Sequence, residues 1–284
     1  MDPEVVFLAA IPVFSLSMIA EALLVRGRSD VKGYTWKDSL GSISMGLGFM
    51  VIDVFWRLLV VVPLYTFLSA HPIINVWAAL PGPLAYLCLL FADDLTFYWF
   101  HRAGHVVRLF WAAHHTHHSS EHYNLSTALR QSWGEMFYQP LFWGPIALLG
   151  VPVEMILLQH AISLLYQFGL HTELGGRSGP LGLVFNTASH HRVHHGRSPQ
   201  HLDRNYAGIF IIWDRLFGTF TAEDGPVDYG TVRPMRSYNP LIIAFEEPLT
   251  LARDALAAGG LLPALKVIFG PPGAKPYAQP EAGK

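Results

Sequence analysis

Charge is scarce in this chain. Asp, Glu, Lys and Arg make up 14% of its 284 residues, against about 25% in ordinary soluble domains. Hydrophobic residues reach 51% and mean hydropathy is +0.31. A soluble protein of this size needs more charge to face water, so the composition points to a membrane. A basic excess is also missing: net charge is -2, which excludes the electrostatic footprint of a nucleic-acid binder. Cysteine is nearly absent. Cys88 stands alone inside an apolar run, so no disulfide framework or zinc–thiolate site can form within the chain, and it reads as a small buried hydrophobe. The opening Met-Asp-Pro-Glu lacks the basic segment of a signal peptide and no clear cleavage site follows, so the first apolar run reads as a retained anchor.

What is present is apolar sequence in charge-free runs. Residues 5–20 carry no charge, and apolar character resumes over 22–25 after Glu21. Residues 58–92 are 35 positions without Asp, Glu, Lys or Arg, interrupted by Pro63, Pro72, Pro81 and Pro83. They predict the end of one span, a turn near residues 71–75, and a second span running toward His101. Residues 136–153 and 155–172 are shorter runs separated by Pro152 and Glu154, suited to a re-entrant or tilted hairpin. A bilayer core takes about 20 apolar residues as helix. The expected fold is therefore all-α: an integral membrane helical bundle of about four spanning helices or helical hairpins.

Positive charge sets the orientation. Arg26, Arg28, Lys32 and Lys37 follow the first run, Arg102, Arg108 and Arg130 come later, and a third group of arginines extends from Arg177 to Arg236. With the N-terminus outside, all three groups fall on one side, which the positive-inside rule makes cytoplasmic. The histidines described next lie on that side, as a cytosolic helical cap. A single domain is expected over 1–270, with a metal-site core at 93–220 and a flexible tail, rich in Pro, Gly and Ala, at 271–284. The compact length and the lack of a dilysine-type retention signal favour a bacterial inner membrane over an endoplasmic reticulum.

Histidine is abundant: there are 15, of which thirteen fall in 101–122 and 171–201. His101 and His105 form an HxxxH box. His114, His117 and His118 form HxxHH, and His191, His194 and His195 repeat it. Residues three or four apart share a helical face, so each box offers two or three imidazoles to one small volume. These eight, with His171 as a ninth, exceed the four ligands of a single zinc and suit two metals. Imidazole accommodates zinc, copper, iron and nickel alike; a pair of irons can activate dioxygen. His190, just before the third triplet, is a further ligand candidate. His115 faces away from its triplet, and His71, His122, His160 and His201 read as structural.

A metal-bound imidazole usually gives its other N–H to a carboxylate or carbonyl. Asp94, two helical turns before His101, is a candidate partner because an acid in an apolar run is costly. Glu121 and Asn124 follow the second box and are candidates for the substrate or dioxygen side. Asp214 reads as the structural partner of an arginine. Trp99, Phe100, Trp111, Trp133 and Phe137 read as packing or interfacial aromatics that could also line a channel.

The boxes resemble those of the fatty acid hydroxylase/sterol desaturase superfamily. The flanks FYWFHR (97–102), WAAHHTHHSSEHYNLSTALRQS (111–132), LLYQFGLHTE (164–173), FNTASHHRVHHGR (185–197) and DRNYAGIFIIWDRLFGTF (203–220) look most like its alkylglycerol monooxygenase branch. The resemblance covers about 93–220. It implies a non-haem diiron oxidoreductase in a membrane helical bundle, with His101, His105, His114, His117, His118, His171, His191, His194 and His195 on two iron ions. It further implies dioxygen as co-substrate and a lipid C–H bond as target, in the alkylglycerol case with cleavage of the ether. An external electron donor is needed, either a protein or a reduced pterin such as tetrahydrobiopterin. Sterol or fatty acyl hydroxylation or desaturation is the sister reading. A metal transporter or zinc-dependent membrane hydrolase is the reading from another class; no HExxH base motif supports the hydrolase.

Overall fold

The computed structural model describes residues 3–176 and 179–273. Arg177 and positions 274–284 of the anticipated tail lie outside the described residues. Among those described the fold is all-helical, with only two isolated bridges, Phe185 to Phe210 and Gly196 to Tyr229.

Helix α1 (Pro3–Val25) leads by a turn at Gly27, whose φ is +79°, toward α2 (Trp36–Trp56). The chain widens to a π-helix over Arg57–Val61 and continues as α3 (Val62–Ala70). Pro72 disfavours helix at the residue before it, and His71 leaves helical geometry at φ -124°, ψ 58°. A short α4 (Val76–Ala79) is capped by the Asn75 side chain, which accepts from the Ala78 N–H. The longest unbroken α-helix, α5 (Gly82–Val106), starts with Pro83 in its first turn, where the missing N–H costs nothing. It is followed by α6 (Arg108–His118), then α7 (Gln139–Ala147) and α8 (Val153–Phe168), which are joined by a turn through Gly150 at φ +80°. Short helices α9 (Ala188–His194) and α10 (Ile212–Phe217) and a final pair, α11 (Pro240–Ala257) and α12 (Leu261–Phe269), complete the chain.

Among the described residues one continuous helix, Trp36–Ala70, is long and apolar enough to cross a membrane; Ile11–Val25 is apolar but shorter. That is fewer than the four spans expected from charge-free runs. The reason is local: the 136–153 run yields only the 9-residue α7, and α8 has 16 residues, below the roughly 20 that a straight crossing takes. The second half of α5 carries Asp93, Asp94, His101, Arg102 and His105. Cys88 is exposed rather than buried.

The main core lies where α3, α5, α7 and α8 meet, around Tyr65, Leu89, Phe100, Trp143 and Ile156. Outside it, Leu47, Val51, Phe55, Leu58 and Leu59 are all exposed along the long helix. Buried ion pairs tie the histidine-bearing end to the bundle. Arg130 reaches Asp38 at the start of α2 (3.0 Å) and the Ser119 hydroxyl after α6 (2.9 Å). The pairing is fully buried, so loss of either partner would strand a charge.

Candidate metal centre

Four segments bring the histidines together. His101 and His105 occupy the last turns of α5, and His114, His117 and His118 the end of α6. His171 sits in the turn after α8, and His191, His194 and His195 on and just past α9, whose first turn is capped by Thr187. Gly104 lets α5 and α6 approach: a Cβ there would stand 3.3 Å from the His114 ring.

The rings form two groups. His101, His105, His114, His118 and His194 make one, and His117, His171, His191 and His195 the other; within each group the ligand nitrogens lie within 4.8 Å of one another, and every residue of both groups is buried. The division cuts across the sequence boxes. Box two sends His114 and His118 to the first group and His117 to the second. Box three sends His191 and His195 to the second and His194 to the first. Residues four apart are offset by about 40° around a helix and residues three apart by about 60° the other way, so one triplet straddles two centres.

The chemistry of the set fits metal ions. Nε2 of His114 stands 3.0 Å from that of His101 and 3.1 Å from that of His118, while Nε2 of His171 stands 3.1 Å from those of His117 and His191. An imidazole nitrogen sits about 2.1 Å from a bound ion, so neighbouring ligands at a right angle are about 3.0 Å apart. Nε2 of His105, His194 and His195 is buried with no hydrogen-bond partner, a costly state unless a ligand fills it. The opposite nitrogens are fixed by oxygens. His101 Nδ1–H donates to the Tyr206 carbonyl (2.8 Å), His171 to that of Gln167 (2.9 Å) and His194 to that of Arg204 (2.9 Å). His114 Nδ1–H donates to Glu135 Oε1 at 2.6 Å. Each of these bonds leaves an Nε2 lone pair for a metal. Burial lowers the pKa of His117, His118, His191 and His195, and takes His171 to about 4 and His194 to about 3. Burial therefore favours the neutral form of these six rings, the form a ligand must have.

Other candidates fall elsewhere. His190 points out of both groups against Phe220, its centroid 5.4 Å away. His115 packs on Trp111, and His122 meets Thr35. Asp94 does not hydrogen-bond to a histidine: its carboxylate accepts from the N–H groups of Ile209 (2.6 Å) and Phe210 (3.0 Å) and from Trp213 Nε1 (2.8 Å). It secures the loop whose Tyr206 carbonyl orients His101. Asp214 also holds that loop, accepting from the N–H groups of Tyr206 and Ala207 and from Thr219 rather than from an arginine. Glu121 is at the surface, paired with Arg197 at 2.9 Å, and Asn124 is a buried turn residue bonded to Ser126 and to the Gly33 carbonyl. Neither lines the cavity described next. Glu135 is the carboxylate that sequence reasoning missed.

A cavity of about 430 Å³ opens beside the centre. It reaches rings of both groups, His101, His114, His117, His171 and His191, and its walls are mostly apolar side chains of α1, α2 and α8, among them Phe14, Met18, Met50, Leu164 and Phe168. Of the five aromatics considered above, Phe100 alone lines it.

Residues 86–219, which hold all nine rings, match the family model for fatty acid hydroxylase. That stretch, just under half of the chain, is similar to the fatty acid hydroxylase family. Among curated proteins, the chain is 40% identical to an alkylglycerol monooxygenase of Homo sapiens over 237 residues, covering 83% of the chain and 52% of the human protein. It is 47% identical to one of Danio rerio over 183 residues, 64% of the chain and 41% of the fish protein. An ornithine lipid hydroxylase of Rhizobium tropici is 32% identical over 124 residues, 43% of the chain and 38% of that protein. The chain spans about half the length of the first of these relatives. No solved structure matches it.

Proposed function

We propose that the chain is a membrane monooxygenase that holds two iron ions and uses dioxygen to hydroxylate a lipid C–H bond, with alkylglycerol ethers as substrate. The observation that carries this reading is the meeting of two buried groups of imidazoles with an apolar cavity that reaches both. Five and four nitrogen ligands suit a pair of irons better than zinc, which takes four protein ligands in structural sites and three in catalytic ones. Similarity to alkylglycerol monooxygenases over 83% of the chain supports the substrate.

His101, His105, His114, His118 and His194 would hold one ion and His117, His171, His191 and His195 the other. Bound there, the irons would supply the dioxygen activation that an unreactive C–H bond requires. The chain's own task is placement. The walls of α1, α2 and α8 bind the alkyl chain by burial of apolar surface, exclude water and hold one carbon against the histidine rings, and such positioning removes several kcal/mol of barrier. Hydroxylation of the carbon beside an ether oxygen gives a hemiacetal, which collapses to an aldehyde and a free glycerol hydroxyl. Two electrons and two protons from outside the chain reduce the second oxygen atom to water; a donor protein or a reduced pterin such as tetrahydrobiopterin supplies the electrons. The single domain of residues 1–270 crosses a bacterial inner membrane about four times, counting helical hairpins, with the histidine end in the cytoplasm.

Oxygen uptake by the iron-loaded protein with a reductant and an alkylglycerol tests the proposal. About two irons per chain, with uptake and aldehyde release, is the expected result. Two irons with uptake but no aldehyde would move the substrate to fatty acyl or sterol lipids. One zinc, or no redox metal after iron loading, would overturn the oxygenase and restore the hydrolase or transporter.

A further inference from the structure

One wall of the cavity is polar, and the metal centre does not account for it. Arg57, Gln139 and His160 line it deep among the helices, along with Glu135 nearer the rings. Arg57 interrupts the long apolar helix where the winding widens to a π-helix, a local irregularity that recurs at functional sites, and it is paired with Asp53 one turn before. Gln139 Nε2 donates to His160 Nε2 at 2.8 Å. That bond places the His160 proton on Nδ1, which is buried without a partner, although the ring otherwise packs closely on Trp143, centroids 4.9 Å apart. Together Arg57, Gln139 and His160 give an otherwise mostly apolar cavity a polar end, where a ligand's polar headgroup would be met by side chains able to hydrogen-bond it.

We propose that Gln139, His160 and Arg57 form a binding station for an uncharged, hydroxyl-bearing headgroup. This rests on the lipid-oxidising reading above and assigns it positioning residues. A hydroxyl both accepts and donates, which suits a wall of mixed donors and acceptors. Asp53 neutralises Arg57, so the station has no spare positive charge to offset the burial of a phosphate. The same cavity reaches the rings of both groups, so a headgroup held here would leave the alkyl chain to the apolar side, and the free hydroxyls of a glyceryl ether meet that description.

The test is ligand binding without turnover: anaerobic, oxidised, iron-loaded protein in nanodiscs, followed by displacement of a fluorescent fatty acid. The competitors are an alkylglycerol, its dimethoxy analogue and its phosphate monoester, all with the same chain. The diol is expected to bind about tenfold more tightly than the dimethoxy analogue, the worth of about one net hydrogen bond, and the phosphate no more tightly than the dimethoxy analogue. In Gln139→Leu and in His160→Phe the diol should fall to the dimethoxy level while the dimethoxy affinity stays unchanged, a separation that general loss of structure would not give. Equal binding of diol and dimethoxy analogue by the unaltered protein, discrimination that survives in both variants, or a phosphate that binds most tightly would overturn the proposal. Discrimination without oxygen uptake would refute the catalytic reading alone; turnover without discrimination would refute the station alone.

Discussion

Replacing Glu135 by Gln should weaken one metal ion without unfolding the protein. Glu135 is the one carboxylate among the described residues that hydrogen-bonds a ring of either group, at 2.6 Å from His114 Nδ1; the corresponding partners of His101, His171 and His194 are backbone carbonyls. The amide keeps the size and an acceptor oxygen but removes the negative charge that makes the imidazole more basic. Loss of such a partner typically costs 10- to 100-fold in metal affinity, about 1.4–2.7 kcal/mol. The assay is an anaerobic ferrous titration against a calibrated chelator, alongside Glu121→Gln. Glu121 is paired with Arg197 at the surface, and exposed pairs are worth about 1 kcal/mol or less, so its removal should leave both ions in place. Metal affinity unchanged within about twofold in Glu135→Gln, or a larger loss in Glu121→Gln, would refute the role drawn for Glu135.

Asp94→Asn should lower stability by about 3 kcal/mol, since three donors lose a buried carboxylate; a thermal melt and hydrogen exchange over 205–213 would show it, and an unchanged melt would contradict it. His191→Ala and His194→Ala, three residues apart on α9, should deplete different ions, whereas His190→Ala keeps both. Native mass spectrometry with spectroscopy of the remaining iron distinguishes them, and loss of iron from the His190 variant would count against the grouping. Gly46→Ala would place a Cβ 2.8 Å from the Leu129 carbonyl oxygen and should destabilise by about 1–3 kcal/mol; a melting temperature equal to that of the parent would show that α2 shifts freely at this point.

The histidine spacing made the ring set legible, because ligands three and four apart on short helices are visible in any sequence. Their division was not, since both HxxHH triplets look as though they serve one ion until the two helices face each other. Asp94's direct partners were hidden for a related reason: seven residues set it on the face of His101 but about 10 Å along the axis, where it meets Ile209, Phe210 and Trp213. Glu135 gave no periodic signal. It sits in a 3-10 turn, Glu135–Phe137, 21 residues beyond its partner, and only tertiary packing joins them. The charge-free runs marked apolar helices correctly but overstated their length, because α7 stops at Ala147 before the Gly150 turn and α8 runs only from Val153 to Phe168.

The crossing of the two triplets has a mechanical consequence. Since α6 and α9 each feed both groups, rotating either helix about its own axis displaces ligands of both at once, and neither can open by itself. The spacing of the ions is then ruled by the pitch of two short helices rather than by a loop that can breathe. Filling the first position would stiffen the second in advance, so in the unaltered protein the second ion should bind more tightly than the first.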